Sequence, residues 1–268
     1  MLLVKAVPFV VSLLFSFILF IPASWADFIL MRFSGDALGL VNSDGTIWSG
    51  SGDLILRPSK IFSYSSREIL NERNSKDFIF IAKKINWKIL PNKLNENDFG
   101  LTFKLMHHSI NWKENSSIKI AKNFFDIPTG EVKLKKLNLS EANGILGFFK
   151  PQFELNIKWD QILFSRGVIV NEPFVIQIYL NNLETSLSPI KPLGSYKIVL
   201  TKDNNYLKWF LESIEGSSIA FTARGDYLKF PRGNGEFTCL KHCEYMTSLL
   251  SAVGKKQGDN VYGFAFGN

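Results

Sequence analysis

Asp44-Gly45-Thr46-Ile47-Trp48-Ser49-Gly50-Ser51-Gly52-Asp53-Leu54 reads as a hairpin corner in a β-rich domain. An aspartate-glycine turn precedes a short strand carrying Trp48, and two glycines then bracket Ser51. Gly45 tolerates positive φ, while Gly50 and Gly52 let backbones approach closely or bulge. The serines here are poor nucleophiles. Neither Ser49 nor Ser51 has glycines two positions away on both sides, so the strained elbow that activates a hydrolase serine is absent. On physical grounds the motif is structural.

Period-two alternation runs outward from this corner. Phe153, Leu155, Ile157 and Trp159 alternate with Glu154, Asn156, Lys158 and Asp160, which marks a strand with one buried face. Leu101, Phe103 and Leu105 do the same against Thr102 and Lys104. Further strands are read at Phe174 to Leu180, Tyr196 to Leu200, Ile219 to Ala223 and Tyr262 to Phe266. Val132 and Leu134 alternate, Lys135-Lys136 shifts the phase, and Leu137 and Leu139 resume, which predicts a bulge. Phe78-Ile79-Phe80-Ile81-Ala82 is apolar on both faces and predicts a central strand. Helical signals are few. Residues 65–72 suit a short helix, and residues 244–253 suit a better one, with Met246, Leu249, Leu250 and Val253 in a stripe and Gly254 as its C-cap. The expected fold is mainly β: a curved, mostly antiparallel sheet domain with few short helices.

The N-terminus predicts a transmembrane helix ahead of that domain. Residues 6–26 carry no charge, and about 20 apolar residues suffice to cross the hydrocarbon core. Lys5 precedes the run and Asp27 follows it, so the positive-inside bias sends the remainder out of the cytoplasm. Ser24 and Ala26 also suit a cleavage site, but the apolar run exceeds a signal-peptide core of about 7–15 residues and favours a retained signal-anchor. The organisation expected is residues 1–26 as anchor and 27–268 as one continuous exported β-rich domain, with room for two sub-sheets. A hydrophobic fraction of 46% and 24 phenylalanines exclude disorder as the main state.

Charge is unevenly placed. The chain has a net charge of +7, and residues 76–136 hold 12 lysines against six acids. Such a belt suits the solvent face and edges of a sheet, and it also suits anionic headgroups or an acidic partner. It lacks the arginine and aromatic pattern of a nucleic-acid platform. Cys239 and Cys243 lie four apart in an exported domain, which favours a local disulfide over free thiols. A zinc reading with His242 falls short of ligands, since His107 and His108 are far away in sequence.

The search for chemistry yields no catalytic, metal or cofactor set. His107-His108 is the obvious candidate, but neighbours on a strand point to opposite faces and do not easily share a metal or substrate. There is no phosphate loop, no dinucleotide fingerprint and no His-x-x-x-His spacing. Trp48, Trp87, Trp112, Trp159 and Trp209 fit core or sheet anchors better than a ligand box.

Several features in order resemble the general secretion pathway protein N family, the N component of the bacterial type II secretion system. They are the membrane segment ending Pro22-Ala23-Ser24-Trp25, the signature Gly45-Thr46-Ile47-Trp48-Ser49-Gly50, and Ile85-Asn86-Trp87-Lys88-Ile89-Leu90-Pro91. Gly130-Glu131-Val132-Lys133-Leu134, then Leu193-Gly194-Ser195-Tyr196 opening a strand, and the ending Gly258 to Gly267 continue the likeness over nearly the whole chain. The resemblance implies an accessory, single-pass subunit of the bacterial inner membrane, with its C-terminal domain in the periplasm. Its partners would be other secretion subunits, and it would need no cofactor. Gly45, Trp48, Gly50, Trp87, Gly194 and Tyr196 would be structural positions. The family also looks related to curved-sheet proteins that handle lipid between membranes, so a phenylalanine-lined sheet face in lipid contact is the alternative expectation.

Overall fold

A computed structural model describes residues 12, 16–57, 78–93, 99–113, 117–140, 148–166, 168–171, 174–203, 206–227 and 231–267. The helix expected at 65–72 lies outside these residues, as do 1–11 and 13–15 of the expected membrane span. Contacts gather the chain into two compact units, residues 1–108 with 117–122 and residues 109–116 with 123–268. The strands are antiparallel throughout their assigned pairings and helices are few, so the chain is mainly β.

In the first unit, strands β1 (Leu38–Gly45), β2 (Ser49–Leu56), β3 (Ile79–Lys93), β4 (Phe99–Met106) and β6 (Ile118–Ala121) pair in that order. Helix α1 (Ser24–Ser34) packs on β1. β3 lies between β2 and β4, but the apolar run at 78–82 that leads into it pairs only with β2, residues 86–93 alone pair with β4, and Phe80 is exposed, so the run itself is not the two-sided central segment expected. Ile55, Ile85 and Trp87 are buried in this unit. On β4 the expected alternation holds from Phe103 to Leu105, with Lys104 exposed and its two neighbours half-buried, but fails at Leu101 and Thr102. Thr102 is the buried residue, its hydroxyl accepting a bond from Asn92, while Leu101 is exposed. A threonine pairs with a polar neighbour in a way that leucine cannot, so hydrophobicity alone misplaced Thr102.

The second unit holds β5 (Ile110–Trp112), β7 (Phe124–Ile127), β8 (Gly130–Asn138), β9 (Gln152–Trp159), β10 (Ile162–Ser165) and β11 (Val168–Ile169). β12 (Val175–Glu184), β13 (Gly194–Asp203), β14 (Tyr206–Ser213), β15 (Ile219–Tyr227), β16 (Pro231–Cys239), β17 (Lys255–Gly258) and β18 (Val261–Phe266) follow. Ten of these strands form one sheet in the order β17-β18-β16-β15-β14-β13-β12-β9-β8-β5. The predicted bulge is real: the β8–β9 register shifts between Leu134 and Leu137, and Lys136 takes φ +53°.

Register sorts this sheet into two chemically different faces. One row of directly paired residues reads Ile110, Val132, Ile157, Ile178, Ile198, Leu211, Ala223, Gly235 and Phe264 from β5 to β18. The adjacent row on the same face contains Trp112, Gly130, Trp159, Ile176, Leu200, Trp209, Gly225, Gly233 and Phe266. Neither row carries a charge. Opposite faces alternate along each strand, so the other face receives Glu131, Lys158, Lys197, Glu212, Arg224 and Glu236. Gly130 is glycine because a Cβ there would lie 2.5 Å from the Trp159 ring and 3.1 Å from Trp112. Those two indoles meet edge to face.

At the β16–β18 end the apolar face is covered by α2 (Thr247–Val253). Met246 and Leu250 pack with Leu193, Ile219, Phe237, Cys239 and Tyr262 into a closed core. The helix is shorter than residues 244–253, because Cys243–Tyr245 forms a 3-10 turn first. Gly254 is extended, not left-handed, and Val253 is exposed. Glycine is needed there for close approach: a Cβ would stand 2.8 Å from the Phe237 ring and from the Gly263 carbonyl.

Candidate functional site

Four of the expected structural residues, Gly45, Trp48, Gly50 and Trp87, meet at one joint in the first unit. β1 ends at Gly45, whose φ of +91° suits glycine, and β2 restarts at Ser49. Trp48 therefore sits in the connection and not on a strand, which corrects the sequence reading. The turn closes through Thr46, whose amide donates to the Ser49 carbonyl at 2.9 Å and whose hydroxyl oxygen accepts from the Ser49 amide. Gly50 lies beneath Trp87; a Cβ there would stand 2.6 Å from the indole and 2.7 Å from the Asp44 carbonyl.

This joint grips the end of the uncharged N-terminal stretch. Pro22 and Thr46 form an antiparallel bridge, with the Ile47 amide donating to Ile21 O at 2.9 Å and the Ala23 amide donating to Gly45 O at 3.1 Å. The Trp48 indole donates to Ile18 O at 2.7 Å, and the Trp87 indole donates to Ile47 O at 3.0 Å. Ile89 N donates to Trp48 O at 2.6 Å, which ties the same loop to β3. Nearly every backbone group of the loop is thus engaged, as polar groups near a protein interior require. Ala23 is buried, and the Asp27 carboxylate accepts the Leu40 amide at 2.6 Å. The sequence signal for these partners was weak, because backbone carbonyls at Ile18, Ile21 and Gly45 carry no residue signature.

The joint also corrects the expected single helix over 6–26. Phe20 closes a helical turn on Ser16, but the chain is extended at Ile21-Pro22 and a new helix begins at Ser24. Proline cannot donate to a preceding helical turn, so the break falls where the chemistry places it. Among the described residues no helix is long and apolar enough to cross a membrane.

Gly194 and Tyr196 are in the second unit, apart from the joint in sequence and in unit membership. A Cβ on Gly194 would meet the Ser217 hydroxyl at 2.4 Å. Tyr196 is buried, its hydroxyl donates to Ile219 O at 3.3 Å, and burial pushes its pKa up to about 12. Cys239 and Cys243 are joined in a disulfide, with Cα atoms 5.6 Å apart. The left-handed His242 between them turns the chain back for the bridge.

The histidine pair departs from the opposite-face expectation. His107 and His108 follow β4 in a turn, where alternation no longer applies, and their ring centroids are 4.1 Å apart. His107 Nε2 donates to Lys83 O at 2.9 Å, and Lys83, Lys84 and Asn86 line the same concavity. Desolvation, then the neighbouring His108, lowers the His107 pKa despite that bond. Asp53 is held below the usual carboxylate range by bonds from Asn42 and the Lys84 amide. Among the described residues no three His, Cys, Asp or Glu side chains gather to hold a metal ion.

Compared with known proteins, the chain matches no family model, no curated protein and no solved structure.

Proposed function

We propose that this protein is an accessory subunit of the type II secretion system, anchored in the bacterial inner membrane with its curved β-rich domain in the periplasm. There it aids assembly of the machine that exports folded proteins across the outer membrane. The ordered motifs from Gly45 to Gly267 suggest the system. The observation that carries the anchored reading is the joint, where the Gly45–Gly50 signature holds residues 18–23, the end of the uncharged stretch, onto the first sheet. A signature that fastens an apolar leader to a folded unit makes sense where the leader is kept. Contacts with other secretion subunits would use the sheet faces and edges rather than a catalytic centre. Deletion of the gene should leave export substrates in the periplasm while the outer membrane stays intact.

One observation favours a second reading, the handling of lipid. The two uncharged rows of the ten-stranded sheet continue from β5 to β18, and residues such as Val132, Ile157, Ile178 and Ile198 in their middle are only half-buried. Apolar area left partly wet at about 25 cal/mol per Å² is a driving force for an apolar ligand. Normal secretion with a leaky outer membrane, together with phospholipid co-purifying with the full chain, would transfer the assignment to lipid handling.

A further inference from the structure

Helix α1 (Ser24–Ser34) is apolar on the side that faces away from its own sheet. Its inward positions, Ala26, Asp27, Leu30 and Met31, are half-buried against β1. Its outward positions, Trp25, Phe28, Ile29 and Phe33, are 55%, 59%, 39% and 88% exposed. They fall at i, i+3, i+4 and i+8, one stripe of a helix, and the other outward residues are Ser24 at its start and Arg32. A helix in water buries such a stripe; this one presents it, with the Trp25 and Phe28 rings in edge-to-face contact. No acid lies among these outward positions.

What covers the stripe follows from what precedes it. Phe17, Ile18, Leu19 and Phe20 are also exposed, and they end the uncharged stretch that the Trp48 loop fastens to the sheet. The stripe thus begins within five residues of a run whose composition suits hydrocarbon. An amphipathic helix of aromatic and aliphatic residues with a cation on its border lies in the plane of a bilayer interface, where tryptophan is also favoured. We propose that α1 lies flat in the headgroup region of a phospholipid bilayer, with Trp25, Phe28, Ile29 and Phe33 in the upper acyl chains and Arg32 at the phosphates. This second membrane contact seats the first unit on the lipid surface and sets its orientation. It rests on the anchored reading of the N-terminal stretch.

The test uses the full chain reconstituted in vesicles of phosphatidylethanolamine and phosphatidylglycerol. The native cysteines are bridged, so a nitroxide can be attached to one introduced thiol in F28C or F33C, with F17C as the anchor reference. Both positions are exposed, so the fold tolerates the label, and an unchanged melting temperature checks this. Labels at 28 and 33 should collide more often with oxygen than with a water-soluble nickel chelate, at shallower depth than the label at 17. Lipid exposure at 17 with free nickel access at 28 and 33 overturns the interfacial helix and leaves the anchor standing. Nickel access at all three positions overturns both. Shielding of 28 and 33 from oxygen and nickel alike means a protein surface covers the stripe, which also overturns the proposal.

Discussion

The indole of Trp48 donates its hydrogen bond to the carbonyl of Ile18, 30 residues earlier in the chain, at 2.7 Å. That bond is a link between a sequence signature and the segment it holds. Replacing Trp48 with phenylalanine keeps most of the packing and deletes the donor, so the cost should be about 1 kcal/mol in denaturant unfolding of the full chain. In a chain truncated before Ser24 the acceptor is gone, and the same substitution should cost little. Equal costs in both backgrounds would show that the indole serves packing alone.

The joint predicts that the N-terminal residues persist in the mature protein. Ala26 lies inside α1, Ala23 is buried, and Pro22 is bridged to Thr46, so a peptidase acting after Ala26 would have to dismantle structure. Intact-mass measurement on protein from the membrane fraction should return the chain with residues 1–26 present. A mass matching a chain that begins at Asp27 would refute the anchored reading.

Gly50 is set against Trp87 and the Asp44 carbonyl with no room for a methyl group. Gly50→Ala should destabilise by about 1–3 kcal/mol, the usual range for overpacking. Gly258→Ala is the control, since its Cβ would meet only Val261 at 3.9 Å, an ordinary contact. Similar melting temperatures for the two variants would mean the loop yields readily.

Tyr196 gives the protein a pH dependence at the alkaline end. Its folded pKa, pushed up to about 12 by burial, exceeds the ordinary tyrosine value of 10.0. The neutral hydroxyl is therefore favoured in the fold, and its contribution is fully present below pH 10 and lost as pH rises towards 12. Tyr196→Phe should cost about 1 kcal/mol at neutral pH through loss of the bond to Ile219. Its stability should then fall less steeply than that of the parent between pH 10 and 12. Parallel pH profiles for the two proteins would place this residue outside the effect.

Much of the second unit was legible because its strands obey one rule. Phe153 to Trp159, Tyr196 to Leu200 and Tyr262 to Phe266 alternate cleanly, since each lies in a sheet with one apolar and one polar face. Even the bulge at Lys135-Lys136 was written as a phase slip. Two of the failures share a cause: they occur where local pattern is overruled by partners elsewhere along the chain. Thr102 is buried because Asn92 meets it across the β3–β4 pair, and Trp48 leaves the strand register because Ile18 and Ile89 claim the loop. The histidine rings meet because β4 ends one residue before them. At α1 the spacing of Trp25, Phe28, Ile29 and Phe33 was in the sequence, but the uncharged run ending at Ala26 absorbed its first members into a predicted membrane span. Its exposed side became readable only once the inward face had been fixed on β1.

The disulfide offers the last prediction. Cys239 ends β16 inside the core that contains Met246 and Leu250, and Cys243 opens the 3-10 turn that leads into α2. The bridge therefore fixes the start of the covering helix to the strand it covers. Thiol reagents should not label the folded protein until it is reduced. Closing so small a loop constrains the unfolded chain by about 2 kcal/mol on the loop-entropy model, and reduction should remove that amount. The loss should be local at first. Amide exchange should quicken at Leu250 and Gly254, whose amides bond to Met246 and Leu250, while β12 and β13 remain protected. Ready labelling without reductant would refute the bridge, and unchanged exchange in α2 after reduction would show that Met246 and Leu250 hold the helix unaided.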